Sequence, residues 1–202
     1  MLAIVAAFSS CKDKNVEQES VNPIVSTNNG KVQGVLVDNG MTTVFRGIPY
    51  AAPPVGDLRW KKPQPAANWD TVRICDTFSS AAIQASHSDP EEFYTKEFYW
   101  EGDPEFSEDC LYLNVWTPTE AASHPEKKLP VAMWIHGGAY THGWGFEVTM
   151  DGESWAKRDV ILVTINYRVG ALGFLCHPLL AEEGNGESGN YGTWDQADAL
   201  RW

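Results

Sequence analysis

Positive charge is scarce in this chain. Its 202 residues hold 15 Lys and Arg against 27 Asp and Glu, a formal net charge of −12. With no cluster of basic residues it is a poor candidate for nucleic-acid binding, which depends on Lys and Arg patches gripping phosphates. The acidic residues are spread along the chain, which reads as a solvated surface and not as recognition of a cationic partner. No apolar run approaches the roughly 20 residues that a membrane-spanning helix needs. Cysteine is sparse as well: Cys11, Cys75, Cys110 and Cys176 are the only four. They show no CxxC pair and no Cys/His spacing of the kind that binds zinc, and the chain as a whole implies neither a metal nor an organic cofactor. A Cys75–Cys110 bridge and a pair of buried thiols both remain open. No internal repeat is visible.

Apolar and aromatic residues are plentiful. Hydrophobic residues make up 43% of the chain, with nine Trp, seven Tyr and eight Phe, which argues for a folded domain over a disordered segment. The length suffices for one domain with a sizeable core. Met1 to Phe8, MLAIVAAF, is apolar and is followed by Ser9-Ser10-Cys11. This resembles the end of a bacterial lipoprotein signal peptide, with Cys11 as the lipidated residue, although the usual basic stretch before the apolar run is missing. The resemblance implies an exported protein, anchored to the bacterial envelope by lipid. The polar residues 12–28 read as a linker, and 29–202 as the folded part.

The hydrophobic pattern of the folded part is that of an α/β protein. Residues 31–47 alternate on either side of Asp38-Asn39-Gly40 and predict a β-hairpin. Phe45 to Trp69 contains five prolines and reads as an extended loop pinned by Tyr50, Trp60 and Trp69. Residues 85–106 read as an acidic, aromatic loop, 119–128 as a polar connection and 177–190 as a loop. Strands are predicted at Leu111 to Trp116, ended by Pro118, at Val131 to Ile135 and at Val160 to Asn166. Helices are predicted at Glu153 to Asp159 and from Tyr191 onward, where Trp194, Ala197, Leu200 and Arg201 share helical spacing. The Gly- and Pro-rich beginning suggests an antiparallel start feeding a mixed sheet.

The stretch with the most chemical content is Leu129 to Gly145, LPVAMWIHGGAYTHGWG. A short apolar run of the length of a strand buried on both faces stops at His136-Gly137-Gly138-Ala139. Two glycines after such a strand let the backbone turn sharply, and the turn can present N–H groups to a negative charge.

Five segments in series resemble the type-B carboxylesterase and cholinesterase family of α/β hydrolases. They are FRGIPYAAPPVGDLRW, SEDCLYLNVWTP, LPVAMWIHGGAY, VILVTINYRVGALGFL and GNYGTWDQADALRW, in the family's order. The resemblance implies the α/β-hydrolase fold and a serine esterase acting on small-molecule esters through an acyl-enzyme. It assigns the backbone N–H groups of Gly138 and Ala139 to the oxyanion hole, with Gly137 allowing the bend. It pairs Arg46 with Glu108 and Arg168 with Asp195 as buried structural salt bridges. It matches Cys110 to a disulfide cysteine, whose usual partner position is Ala82 here. His136 becomes a residue that positions the loop. The family also includes adhesion proteins that have lost the nucleophile, so a catalytically inactive binding protein is the alternative.

A G-x-S-x-G nucleophile elbow must follow a strand. Gly152-Glu153-Ser154-Trp155-Ala156 precedes one, and Gly186-Glu187-Ser188-Gly189-Asn190 has no apolar strand leading into it. Neither qualifies. The expectation is an N-terminal fragment, inactive alone, that supplies the oxyanion hole while the serine, acid and histidine of the triad lie elsewhere.

Overall fold

The computed structural model describes residues 22–202, apart from Ser88, Pro90 and Pro125. Cys11 and the first part of the linker lie outside the described residues. The fold begins earlier than the linker reading allows. β1 (Ile24–Ser26) already pairs antiparallel with β2 (Lys31–Gln33), Val25 opposite Val32. β3 (Val35–Val37) and β4 (Thr42–Pro49) form the expected hairpin around Asp38-Asn39-Gly40. β4 continues through Phe45 to Pro49, so the first part of the proline-rich stretch is strand and not loop. Its only proline stands at the last strand position, where a missing N–H costs least. Between Phe45 and Ile48 the pairing slips by a bulge, and the free Gly47 N–H is satisfied by Asn114 Oδ1 at 2.9 Å.

β5 (Arg73–Ile74) joins β2 in parallel. β6 (Ala81–Ala82) pairs in parallel with β7 (Phe106–Ser107), and the segment between them, expected to be loop, carries helix α1 (Phe93–Phe98). β8 (Tyr112–Pro118) runs antiparallel to β4 and is followed by the short helix α2 (Thr119–Ser123) where a plain connection was expected. β9 (Val131–Ile135), α3 (Glu153–Ala156), β10 (Ile161–Ile165) and α4 (Gly170–Phe174) come next. α5 (Pro178–Glu183) occupies the segment read as a loop, with Pro178 in its first turn and the His177 ring capping the Leu179 N–H at 3.2 Å. α6 (Tyr191–Arg201) closes the described chain. Its buried residues include Tyr191, Asp195 and Ala199, whereas Leu200 is exposed, so the face that packs is not the one the apolar spacing suggested.

The principal sheet has the order β3-β4-β8-β10-β9. Its neighbours are antiparallel as far as β10, and only β10 and β9 are parallel, which gives the antiparallel start and mixed sheet expected. Its core is built from Phe45, Ile48, Leu113, Ile165 and Tyr167. β9 is not buried on both faces. It lies at the edge of the sheet, and Val131 and Ile135 are exposed.

Candidate active site

The parallel pair β10 and β9 ends in register at Ile165 and Ile135, so the two following loops leave the sheet side by side. Tyr167 donates its hydroxyl to the His136 carbonyl at 3.0 Å, and the two rings stack with centroids 4.2 Å apart. His136 is buried, and burial pushes its imidazole down to about 4, so the ring is neutral at pH 7. Its Nδ1 lies 2.9 Å from the Gly137 oxygen, an acceptor only, so the proton is on Nδ1.

That bond orients a peptide. In a trans peptide the C=O and the next N–H point in opposite directions. With the Gly137 carbonyl turned to His136, the Gly138 N–H points away from it. The same holds one residue on. The Gly138 carbonyl faces into the turn and accepts from Thr141 N at 2.9 Å, His142 N at 3.2 Å and Thr141 Oγ1 at 3.0 Å. The Ala139 N–H is therefore directed out of the turn. Adjacent amides freed in this way can bind an anion where their N–H groups converge.

The backbone accepts unusual conformations for this. Gly138 has φ 97°, and a Cβ there would come 2.0 Å from the His142 oxygen. Ala139 and Tyr140 follow at φ 51° and 63°, both in the left-handed region that side-chain-bearing residues rarely enter. The surroundings must hold such a run in place. Tyr140 O accepts from Gly170 N at 2.6 Å, and its ring packs on Phe174. Gly143 is clamped by Gln84, which accepts from its N–H at 2.7 Å and donates to its carbonyl at 3.1 Å. Asn166, at the end of β10, accepts from Gly145 N at 2.8 Å and donates to Ser80 O at 3.1 Å. Sequence reading singled out neither Gln84 nor Asn166. The only signal was an amide ending the otherwise apolar VILVTIN.

The expected salt bridges divide. Arg168 reaches Asp195 in fork geometry, Nε to Oδ2 at 2.8 Å and Nη2 to Oδ1 at 2.7 Å, with its own N–H on Oδ2 at 3.0 Å. Both residues are buried. Burial raises the Asp195 carboxyl, and the hydrogen bonds from Arg168 offset part of that rise. The pair ties α6 to the loop after β10, beside Tyr140. Arg46 does not pair with Glu108. Glu108 is taken by Arg59, at 2.6 and 2.5 Å, while Arg46 donates to Asp76 O at 3.1 Å and lies over the Phe78 ring. Arg59 stands in the proline-pinned loop, whose folding back onto Glu108 the sequence does not announce.

Cys75 and Cys110 are free thiols and do not form a bridge. Burial pushes the Cys75 thiol up to about 11 and raises Cys110 as well, so both are inert. Ser154 lies exposed in α3 before β10, and Ser188 contacts Cys176, so neither stands at a strand end as a nucleophile would. Among the described residues no cluster of His, Cys, Asp and Glu is arranged to hold a metal.

The family model described as "Carboxylesterase family" matches residues 21–202. A fumonisin B1 esterase of Sphingopyxis macrogoltabida is 42% identical over 179 residues, which are 87% of this chain and 30% of that protein. A para-nitrobenzyl esterase of Bacillus subtilis (strain 168) is 43% identical over 180 residues, 89% of this chain and 34% of that protein. A solved PNB esterase structure superposes with a TM-score of 0.73 at 39% identity, covering 90% of this chain and 34% of that one. The chain thus spans about a third of the length of these relatives.

Proposed function

Because the chain belongs to the carboxylesterase family and carries the α/β-hydrolase fold of its relatives, we propose that it is part of a serine carboxylic-ester hydrolase and contributes the oxyanion hole. The observation that carries this reading is the orientation of two consecutive peptides. His136 holds the Gly137 carbonyl and Thr141 holds the Gly138 carbonyl, so the N–H groups of Gly138 and Ala139 each point away from those partners and are left for a ligand.

In the intact enzyme a serine outside this chain attacks the ester carbonyl, assisted by a histidine and an acid. The carbonyl oxygen becomes an oxyanion and settles between the Gly138 and Ala139 amides. The alcohol then leaves, and water cleaves the acyl-enzyme. A fixed donor contributes about 2.7–4 kcal/mol to such a transition state, because it binds the charge that develops and not the neutral ester. Ala139 still offers its N–H, so a third glycine is not required. The 202 residues alone, without the triad, are inactive in this reading. The N-terminal pattern around Cys11 supports export and lipid anchoring, and a Cys11→Ser variant is expected to leave the membrane fraction for the soluble one.

The test is ester turnover by the full-length protein. A short-chain 4-nitrophenyl ester should be hydrolysed with an initial burst of nitrophenol, and Gly138→Ala should lower kcat by about 10²–10³. No turnover by the unaltered protein would overturn the hydrolase reading and leave the inactive, ligand-binding relative in its place.

A further inference from the structure

A chain of polar atoms reaches the same turn from the side. Thr141 Oγ1 lies 3.0 Å from the Gly138 oxygen and 3.0 Å from His142 Nδ1. A hydroxyl has one proton and a carbonyl oxygen only accepts. Thr141 therefore donates to Gly138, and His142 Nδ1–H donates to Thr141. The His142 ring lies against the turn, since a Cβ on Gly138 would come 3.0 Å from its Cδ2. The His87 ring meets it edge-on at 5.6 Å. His87 is itself fixed by Asp103, whose Oδ1 lies 2.9 Å from its Nδ1 and whose Oδ2 accepts its N–H at 2.8 Å. Tyr99 stacks on the His87 ring at 4.0 Å. Burial and the neighbouring His87 hold the His142 imidazole below its usual range, so at pH 7 it carries one proton.

We propose that His142 is a positioning residue of the oxyanion hole: its Nδ1–H, relayed by the Thr141 hydroxyl, holds the Gly138 carbonyl and thereby aims the Ala139 N–H. The assignment rests on the hydrolase reading above. Hydrogen bonds in series polarise one another, so the relay also draws electron density toward the Gly138 oxygen and makes the Ala139 N–H a better donor. Ala139 occupies a conformation that its side chain disfavours, so a Gly138 carbonyl left with only the Thr141 and His142 backbone N–H groups is held less firmly in the productive direction. The oxyanion exists only after attack. Loss of the relay therefore falls on kcat and spares KM.

In the full-length protein, His142→Leu and Thr141→Val remove the relay, whereas His142→Asn and Thr141→Ser keep a donor and a hydroxyl. With 4-nitrophenyl acetate, the first two should lose roughly ten- to a hundredfold in kcat, less than deletion of a whole donor, with KM within about twofold. The second two should recover most of the loss. The double variant His142→Leu, Thr141→Val should be no worse than either single one, because both break one relay. Nitrogen NMR of the histidine-labelled, unaltered protein should find His142 protonated on Nδ1. Protonation on Nε2 would overturn the proposal, as would a His142→Leu kcat within about twofold of the unaltered protein. A loss that His142→Asn does not restore, or one carried equally by KM, would assign His142 to packing and overturn it too. Absence of turnover by the unaltered protein, with the Nδ1 proton in place, would instead bring down the hydrolase reading and leave the relay standing.

Discussion

His136 shows how one side chain turns a loop into a tool. Its carbonyl is tied to Tyr167, its ring is stacked on the same residue and its Nδ1–H is given to Gly137, so the ring can neither rotate nor accept a proton cheaply. Its pKa of about 4, against the ordinary 6.5, ties stability to pH. The unfolded chain binds a proton at this residue below about pH 6.5, and the folded one only near 4. The stabilisation is complete above pH 6.5 and is lost as pH falls toward 4, by about 3 kcal/mol at 1.36 kcal/mol per unit. Urea unfolding of the full-length protein from pH 7 to pH 4, beside His136→Asn, isolates this part. Asn keeps a donor but does not titrate, so the stability difference between the two should shift by about 3 kcal/mol toward the variant as pH falls. Parallel curves would show that His136 is not held neutral by the fold.

The Arg168–Asp195 and Arg59–Glu108 pairs have the same chemistry but different energies, because they join elements at different depths. Arg168 and Asp195 connect the loop after β10 to α6 with both side chains almost fully buried. Asp195→Ala strands a guanidinium away from water and should cost about 3–5 kcal/mol in urea unfolding. Arg59 and Glu108 are 42% and 20% exposed, so water replaces either partner, and Glu108→Ala should cost about 1 kcal/mol or less. Equal losses would refute the depth argument. The same contrast explains what was legible in the sequence. Strands β8, β9 and β10 and helix α6 announce themselves by apolar runs and spacing, and the HGG turn by its glycines. The pairing of Arg46 with Glu108 came from the family resemblance, and sequence order alone does not report that Arg59 folds back onto Glu108 instead. Helix α5 was hidden among Gly, Glu and Asn, although Pro178 after His177 is a helix-start signal. Gln84 and Asn166, which clamp the turn, are polar residues whose partners are backbone groups far away in sequence, and no local pattern reports such bonds.

At the scale of the molecule, what remains uncovered matters most. On one side of the principal sheet Phe45, Val115, Met133 and Val163 line an apolar groove of about 440 Å³ with Val25 and Leu200. At the edge strand β9, Val131 belongs to this lining and is 63% exposed, and Ile135 beyond it is 43% exposed. A parallel strand at an open edge combines unpaired backbone groups with apolar side chains, a surface that seeks a partner. Apolar area left in water contributes nothing to stability, and each Å² covered is worth roughly 25 cal/mol. Relatives about three times as long have further chain with which to cover such a surface. The 202 residues produced alone should therefore bind the dye ANS strongly, elute from size exclusion as associated species and unfold without a sharp transition. Replacing Val131 and Ile135 with Lys should reduce association, since charge on an edge strand blocks edge-to-edge pairing. It should lower ANS binding only in part, because Val131 lies on the groove lining while Phe45, Val115, Met133 and Val163 stay in place. A monomeric, cooperatively melting chain that ignores the dye would mean that the sheet covers its own apolar face, and that the fold is stable without further partners.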